Sequence, residues 1–403
     1  MNLLPKASGT RPRLACEILL QGVVAARSDD AAGPMAAVAK VALAEGALTP
    51  GLKPGNVVDR VAVVAAIRRA LEQVGERPGG RGAGLKGARG SGLTLVIPDA
   101  AVRVLLLDFE ALPNRLSEAL PLVRFRLKKL LPFDADEAMV TFQVMSSSKS
   151  LVRVLAVAIP RDVLSEYETA AREAGYEPGA VLPSTLAALA GLDEETPSLL
   201  VNANTAGVTT AIVRNGILLL HRSVDLQGGG GVVIANPVSG AMPVGLPLVS
   251  VDETAEEWAA QEALPEHGRN PYADRAADEQ AVQGSGGVTA MPVPQAYVAG
   301  ELAQSGFAVN DLEPISRAAE IAQAVSVAAA YFEDTLAAVP ERVISAGTVG
   351  AEALRKILEE QGVVEADGVR VRELVESSAL LSDAVSAAVP RSWLSGVMGA
   401  LKG

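Results

Sequence analysis

The apolar residues of this 403-residue chain come in strand-sized runs, such as Val102–Leu107 and Leu155–Pro160. None reaches the roughly 18 residues that a membrane-crossing helix needs. Between them lie stretches of helical period. In 57–74, Val63, Ile67, Ala70, Leu71 and Val74 recur on one face, Arg68, Arg69, Glu72 and Gln73 are polar, and Asp59 stands where a cap belongs. Helical stretches of 12–20 residues alternating with short strands predict an α/β fold.

Two hairpin signals set the larger plan. In 13–28, apolar runs flank Gln21-Gly22. A second group begins near Ser198 and reads as three strands, the last two joined by Asn215-Gly216, a strong turn dipeptide. Each half of the chain thus opens on a hairpin. Further strands are expected at 93–98, 101–109, 141–145, 152–160, 342–347 and 369–374. Helices are expected at 115–130, 161–174, 185–191, 314–334, 351–362, 377–386 and 391–402. The Ala-rich stretch 35–47 is read as a short helix or a surface excursion. The stretch 75–92 is read as a Gly/Arg loop without the spacing of a phosphate-binding P-loop. Residues 227–296 are rich in Gly, Pro, Ala and acids, and are read as a long insertion with a short helix at Ala255–Leu264.

Composition narrows the function classes. A net charge of −12 makes nucleic acid a poor partner. The single cysteine, Cys16, excludes an intrachain disulfide. Two histidines, His221 and His267, cannot supply a His-rich metal cluster. No Ser stands in a GxSxG elbow, and neither Asp108 with Glu110 nor the acids of 134–137 form a glycosidase-like pair. Turns after strands that offer backbone N–H groups to phosphates occur at Cys16–Gly22, Asn202–Thr210 and Ser345–Gly350. The nucleotide-site candidates there are Glu17, Gly22, Asn202, Asn204, Thr205, Thr209, Gly347 and Gly350. Ordinary turn chemistry explains the same residues.

The segment VRFRLKKLLPFDADEAMVTFQV, residues 123–144, resembles a helix, Pro-Phe turn, acidic stretch and strand of the PilM family of type IV pilus assembly proteins. Residues 93–113, 154–189, 199–228 and 342–362 are similar to neighbouring parts of that family. The resemblance implies an actin-like fold, two RNase-H-like lobes flanking a nucleotide cleft. The first lobe would span 8–197 with a small subdomain inserted at 93–160. The second would span 198–375 with a flexible insertion at 229–290, and 376–403 would return to the first lobe as helices.

The same resemblance implies a cytoplasmic scaffold that reaches the inner membrane only through partners. It would bind the cytoplasmic tail of a PilN-like inner-membrane protein in a groove of the inserted subdomain. Arg124, Arg126, Lys128, Lys129 and Phe133 are the candidate partner residues. The family's phosphate turns depart here. Cys16 or Glu17 stands in place of an Asp, Asn202-Ala203-Asn204 in place of Asp-Ile-Gly, and Ala346-Gly347 in place of Gly-Gly. Weak binding of ATP with magnesium and a nucleotide-free scaffold both stay open. The alternatives are a type II secretion-like cytoplasmic component and an active actin-like ATPase or sugar kinase.

Overall fold

The computed structural model describes residues 12–30, 33–75, 92–192, 196–226, 312–363, 369–381 and 389–402. Residues 76–91 of the Gly/Arg loop expected at 75–92, His267, the insertion at 229–290 with its helix, and 382–388 of the expected tail lie outside them.

The first sheet grows from the predicted hairpin. β1 (Leu14–Leu19) and β2 (Gly22–Ser28) pair antiparallel, and β3 (Met35–Ala42) extends the meander. The Ala-rich stretch 35–47, expected as a short helix or a surface excursion, is therefore a strand over Met35–Ala42. Its residues Met35, Val38 and Ala39 are buried against the lobe core, and that packing overrides the helix propensity of alanine. Helix α1 (Arg60–Val74) follows, with the Asp59 carboxylate accepting from the Ala62 N–H at 2.9 Å. It covers β2 and β3 and leads to β4 (Gly92–Ile97), which pairs parallel with β1.

The chain then leaves the sheet. A 3-10 turn at Asp99–Ala101 leads to β5 (Arg103–Phe109), α2 (Leu116–Lys128), β6 (Ala138–Ser147) and β7 (Val152–Pro160). These strands form a separate antiparallel sheet in the order β5-β7-β6. Helix α3 (Arg161–Ala174) returns the chain to β8 (Glu177–Pro183), which pairs parallel with β4. The inserted subdomain thus begins at β5 rather than residue 93, because 92–97 belong to the lobe sheet. Helix α4 (Ser184–Leu189) closes the lobe.

The second sheet repeats the first. β9 (Ser198–Ala203), β10 (Gly207–Arg214) and β11 (Ile217–Asp225) form an antiparallel meander. Asn215 and Gly216 take the positive φ values, 52° and 69°, that a two-residue hairpin turn requires. After α5 (Leu312–Leu336), β12 (Arg342–Ala346) pairs parallel with β9. Then α6 (Ala351–Glu360) precedes β13 (Arg370–Glu373), parallel to β12. The strand orders β3-β2-β1-β4-β8 and β11-β10-β9-β12-β13 are the same path drawn twice.

Strand alternation joins the lobes. On β9, Leu199, Val201 and Ala203 face the second lobe's core, while Leu200 joins the apolar cluster of the first. Asn202 shares the face of Leu200 and therefore points toward the first lobe. The last helix, α7 (Ser395–Lys402), packs on α4 and on β1, β2 and β4. It approaches so closely that a Cβ on Gly399 would lie 1.8 Å from the Ala187 carbonyl oxygen.

Candidate functional site

Two concavities among the described residues bear on function. The larger, a cavity of about 490 Å³, lies between the lobes. Its walls are the β1–β2 turn (Leu19, Leu20), the loop 49–55, the start of β5, the β9–β10 turn and the end of β11. The 49–55 wall is tied down from behind. Asn56 accepts from the Gly51 N–H at 2.8 Å and from the Tyr167 hydroxyl at 3.0 Å, and Glu166 accepts from the N–H groups of Gly55 and Val57. Four charged groups line the cavity, Lys53 and Arg103 against Asp99 and Asp225. His221 also lines it, and burial lowers its pKa while Asp99 pulls the other way, so the imidazole is neutral at physiological pH. Among the described residues, its Nε2 has no hydrogen-bond partner.

Behind this cavity the lobes meet through a buried polar network. The Asn202 amide nitrogen lies 2.9 Å from Thr185 Oγ1, 3.1 Å from Ser184 Oγ and 3.3 Å from Asp99 Oδ2. Ser184 donates to Glu17 at 2.6 Å, and Thr185 donates to Asp99 through both its hydroxyl and, at 3.0 Å, its N–H. The Gly396 N–H, at the start of α7, also bonds Glu17. Burial pushes the Glu17 carboxyl up to about 7, with the Ser184 hydroxyl holding it down, Asp99 pushing it up and the Gly396 N–H lowering it. Enclosed by these partners, Glu17 is not among the residues lining the cavity. Burial also pushes the neighbouring Cys16 thiol up, so it stays an unreactive core residue.

The eight expected nucleotide contacts do not gather round one opening. Asn204 and Thr209 line the cavity. Glu17 and Asn202 are spent in the buried network. The three glycines meet protein atoms. A Cβ on Gly22 would lie 2.5 Å from the Val41 carbonyl oxygen, and one on Gly347 would lie 2.3 Å from Asn202 Oδ1. Gly350 faces Glu373, whose carboxylate accepts from the Ala351 N–H at 2.7 Å and so caps α6 from within the protein. Thr205 sits in the β9–β10 turn without lining the cavity. This donor set does not fit a nucleotide with magnesium: the close approaches are taken by the chain, and Asn202 offers N–H groups where a metal needs a carboxylate. Among the described residues, no three His, Cys, Asp or Glu side chains gather as metal ligands would.

Sequence reasoning missed Asp99, Ser184 and Thr185. Asp99 follows β4 and Ser184-Thr185 follow β8, so all three stand just past the carboxyl ends of parallel strands. In open α/β sheets that is where ligand-contacting residues collect.

The second concavity is an apolar groove of about 250 Å³ between the small sheet and the first lobe. Met139 and Thr141 of β6 and Val157 and Ile159 of β7 form one wall, and Gly179–Val181 of β8 form the other. Leu164 and Glu168 of α3 also line it. Among the described residues, both β6 and β8 are terminal strands of their sheets, each paired on one side only. The groove is therefore flanked by backbone edges suited to an extended segment.

None of the five expected partner residues lines this groove. The reason is strand alternation. Ala138, Val140, Ala156 and Ala158 face α2 and its small core, so Met139, Thr141, Val157 and Ile159 face the opposite side. Helix α2 and its basic residues lie across the sheet from the groove. Arg124 is folded onto the carbonyls of Ala135 and Ala138, Lys128 pairs with Asp136 at 2.7 Å, and Phe133 packs on the small core. Arg126 and Lys129 are exposed, the latter 5.7 Å from the centre of the Phe125 ring.

No protein-family model and no curated protein sequence matches the chain. Solved structures do. A chain of a PilM-PilN type IV pilus biogenesis complex is similar over 97% of this chain and 98% of its own, with 15% identity and a TM-score of 0.60. The fold is actin-like. Looser likenesses include the cytoplasmic domain of EpsL, an inner-membrane component of the Vibrio cholerae type II secretion system, at 13% identity over 53% of this chain and 71% of that one (TM-score 0.34). Another is the ethanolamine utilization protein EutJ of Carboxydothermus hydrogenoformans, at 12% identity over 99% and 92% (TM-score 0.37). Among the described residues, no helix is long and apolar enough to cross a membrane.

Proposed function

We propose that this actin-like chain is a non-enzymatic scaffold of a type IV pilus assembly machine, holding the cytoplasmic tail of a PilN-like inner-membrane protein in the groove between β6 and β8. The observation that carries this reading is the groove itself. An apolar channel bounded by two open strand edges accepts an extended peptide through main-chain hydrogen bonds, with alternate side chains entering the channel. The likeness to a chain solved in a complex with PilN supports the choice of partner. The scaffold works in the cytoplasm and is held at the inner membrane by that tail.

Titration calorimetry with a synthetic peptide of the PilN-like tail tests the proposal. The peptide is expected to bind the folded protein, and Val157→Asp, which puts a charge into the groove wall, is expected to weaken binding by about 30-fold or more. Absence of binding to folded protein, or equal binding to the folded variant, sinks the reading.

A further inference from the structure

We propose that Asn202 latches the two lobes together through the hydroxyls of Ser184 and Thr185, holding the cleft closed without a nucleotide. Asn202 is the second lobe's contribution. Glu17, Asp99, Ser184 and Thr185 all belong to the first. The donors and acceptors run in one direction. The Asn202 amide has two hydrogens, and its nearest acceptors are Thr185 Oγ1 at 2.9 Å and Ser184 Oγ at 3.1 Å. Each hydroxyl, having accepted, passes its own hydrogen to a carboxylate, Ser184 to Glu17 and Thr185 to Asp99. Two branches thus leave one amide, and every hydrogen in them is used.

The residue type at 202 decides whether this works. An aspartate there accepts only. Two hydroxyl hydrogens would then face three carboxylates, and the charges would repel inside a site where Glu17 and Asn202 are almost fully buried. Asparagine removes that conflict and turns the position into a donor. Gly347 fixes the amide from behind, since its missing Cβ leaves space for Asn202 Oδ1. The lobes are therefore joined by the chain's own side chains, directly behind the cavity that lies between them. This inference does not depend on the partner that the groove holds.

Hydrogen–deuterium exchange on the full chain, with and without millimolar magnesium ATP, tests it. In the wild type, the amides of Thr185 and of β9 are expected to exchange slowly without nucleotide and at the same rate with it. Asn202→Asp is expected to speed their exchange about tenfold to a hundredfold, the equivalent of losing two buried hydrogen bonds. Should that variant not fold, Ser184→Ala cuts one branch without adding charge and is expected to speed exchange about fivefold. Slowing of wild-type exchange by magnesium ATP overturns the proposal, as does wild-type exchange in whichever of the two variants folds.

Discussion

Arg153 on β7 grips the carboxylate of Asp108 on β5 with two hydrogen bonds, at 2.8 and 3.0 Å, from the position directly opposite in the ladder. The two side chains are only 20% and 16% exposed, so the pair is shielded from water more than a surface ion pair is. Removing one partner leaves the other charge half-buried and alone. Asp108→Asn is expected to cost about 1–3 kcal/mol of unfolding free energy. Arg153→Lys, which keeps the charge but loses the fork, is expected to cost about 1 kcal/mol. Urea denaturation followed by circular dichroism measures both, and a cost below about 0.3 kcal/mol for Asp108→Asn would show that the pair contributes nothing.

Gly347 takes φ of +82°, and its Cβ position is occupied by Asn202 Oδ1 and, at 2.6 Å, the Ala203 carbonyl oxygen. An alanine there meets both a left-handed backbone penalty and a collision with backbone that cannot yield. Gly347→Ala is expected to lower stability by about 2–4 kcal/mol. Gly362, at φ +68° with open space around it, is the control, and Gly362→Ala is expected to cost only the backbone penalty, about 1–2 kcal/mol. Equal losses in the two variants, read from thermal melts, would mean that the Asn202 contact imposes no constraint.

The parts of the fold that local chemistry dictates were legible in the sequence. Asn215-Gly216 announced its hairpin and Asp59 its helix, because a turn and a cap depend on neighbours within a few residues. β3 departs from the expectation because alanine carries almost no periodic signal, and its burial comes from a core formed elsewhere. β8, EPGAVLP, is absent from the expected strands, and its Pro178, Gly179 and Pro183 weaken a strand pattern, though an edge strand tolerates proline. The latch was invisible for a different reason. Asn202 and Asp99 are 103 positions apart and Ser184 and Glu17 are 167 apart, so only tertiary structure assembles them. No local sequence pattern reveals that the groove beside β6 opens on the face of the small sheet opposite α2, because that follows from how β6 and β7 pack against two different cores.

Glu17 gives the fold a pH signature. Its folded-state pKa is raised from 4.5 to about 7, chiefly by burial. The folded protein therefore holds a proton that the unfolded chain has released between those values. The stability tied to this proton is full below about pH 4.5 and is lost as pH rises through about 7. Glu17→Gln has no such proton. The unfolding free energy of Glu17→Gln minus that of the wild type is expected to grow by roughly 3 kcal/mol between pH 4.5 and pH 8. Denaturation curves across that range measure the difference, and a difference that stays flat with pH would contradict the buried, elevated carboxyl.

The two faces of the small sheet separate the groove from the basic helix, and this yields a discriminating pair of variants. Arg126 on α2 and Lys129 just past its end are exposed, across the small sheet from Val157 and Ile159. Reversing their charges alters the field at the groove only through the intervening sheet, at distances where salt screens surface charges. Arg126→Glu with Lys129→Glu is expected to change the affinity for the PilN-like peptide by less than about threefold at 0.15 M salt. Val181→Asp, on the β8 wall, is expected to reduce it by about 30-fold or more, as a buried unpaired charge does. Titration of all three proteins with one peptide makes the comparison. A large loss in the charge-reversal variant beside an unaffected Val181→Asp would move the docking site from the groove to α2.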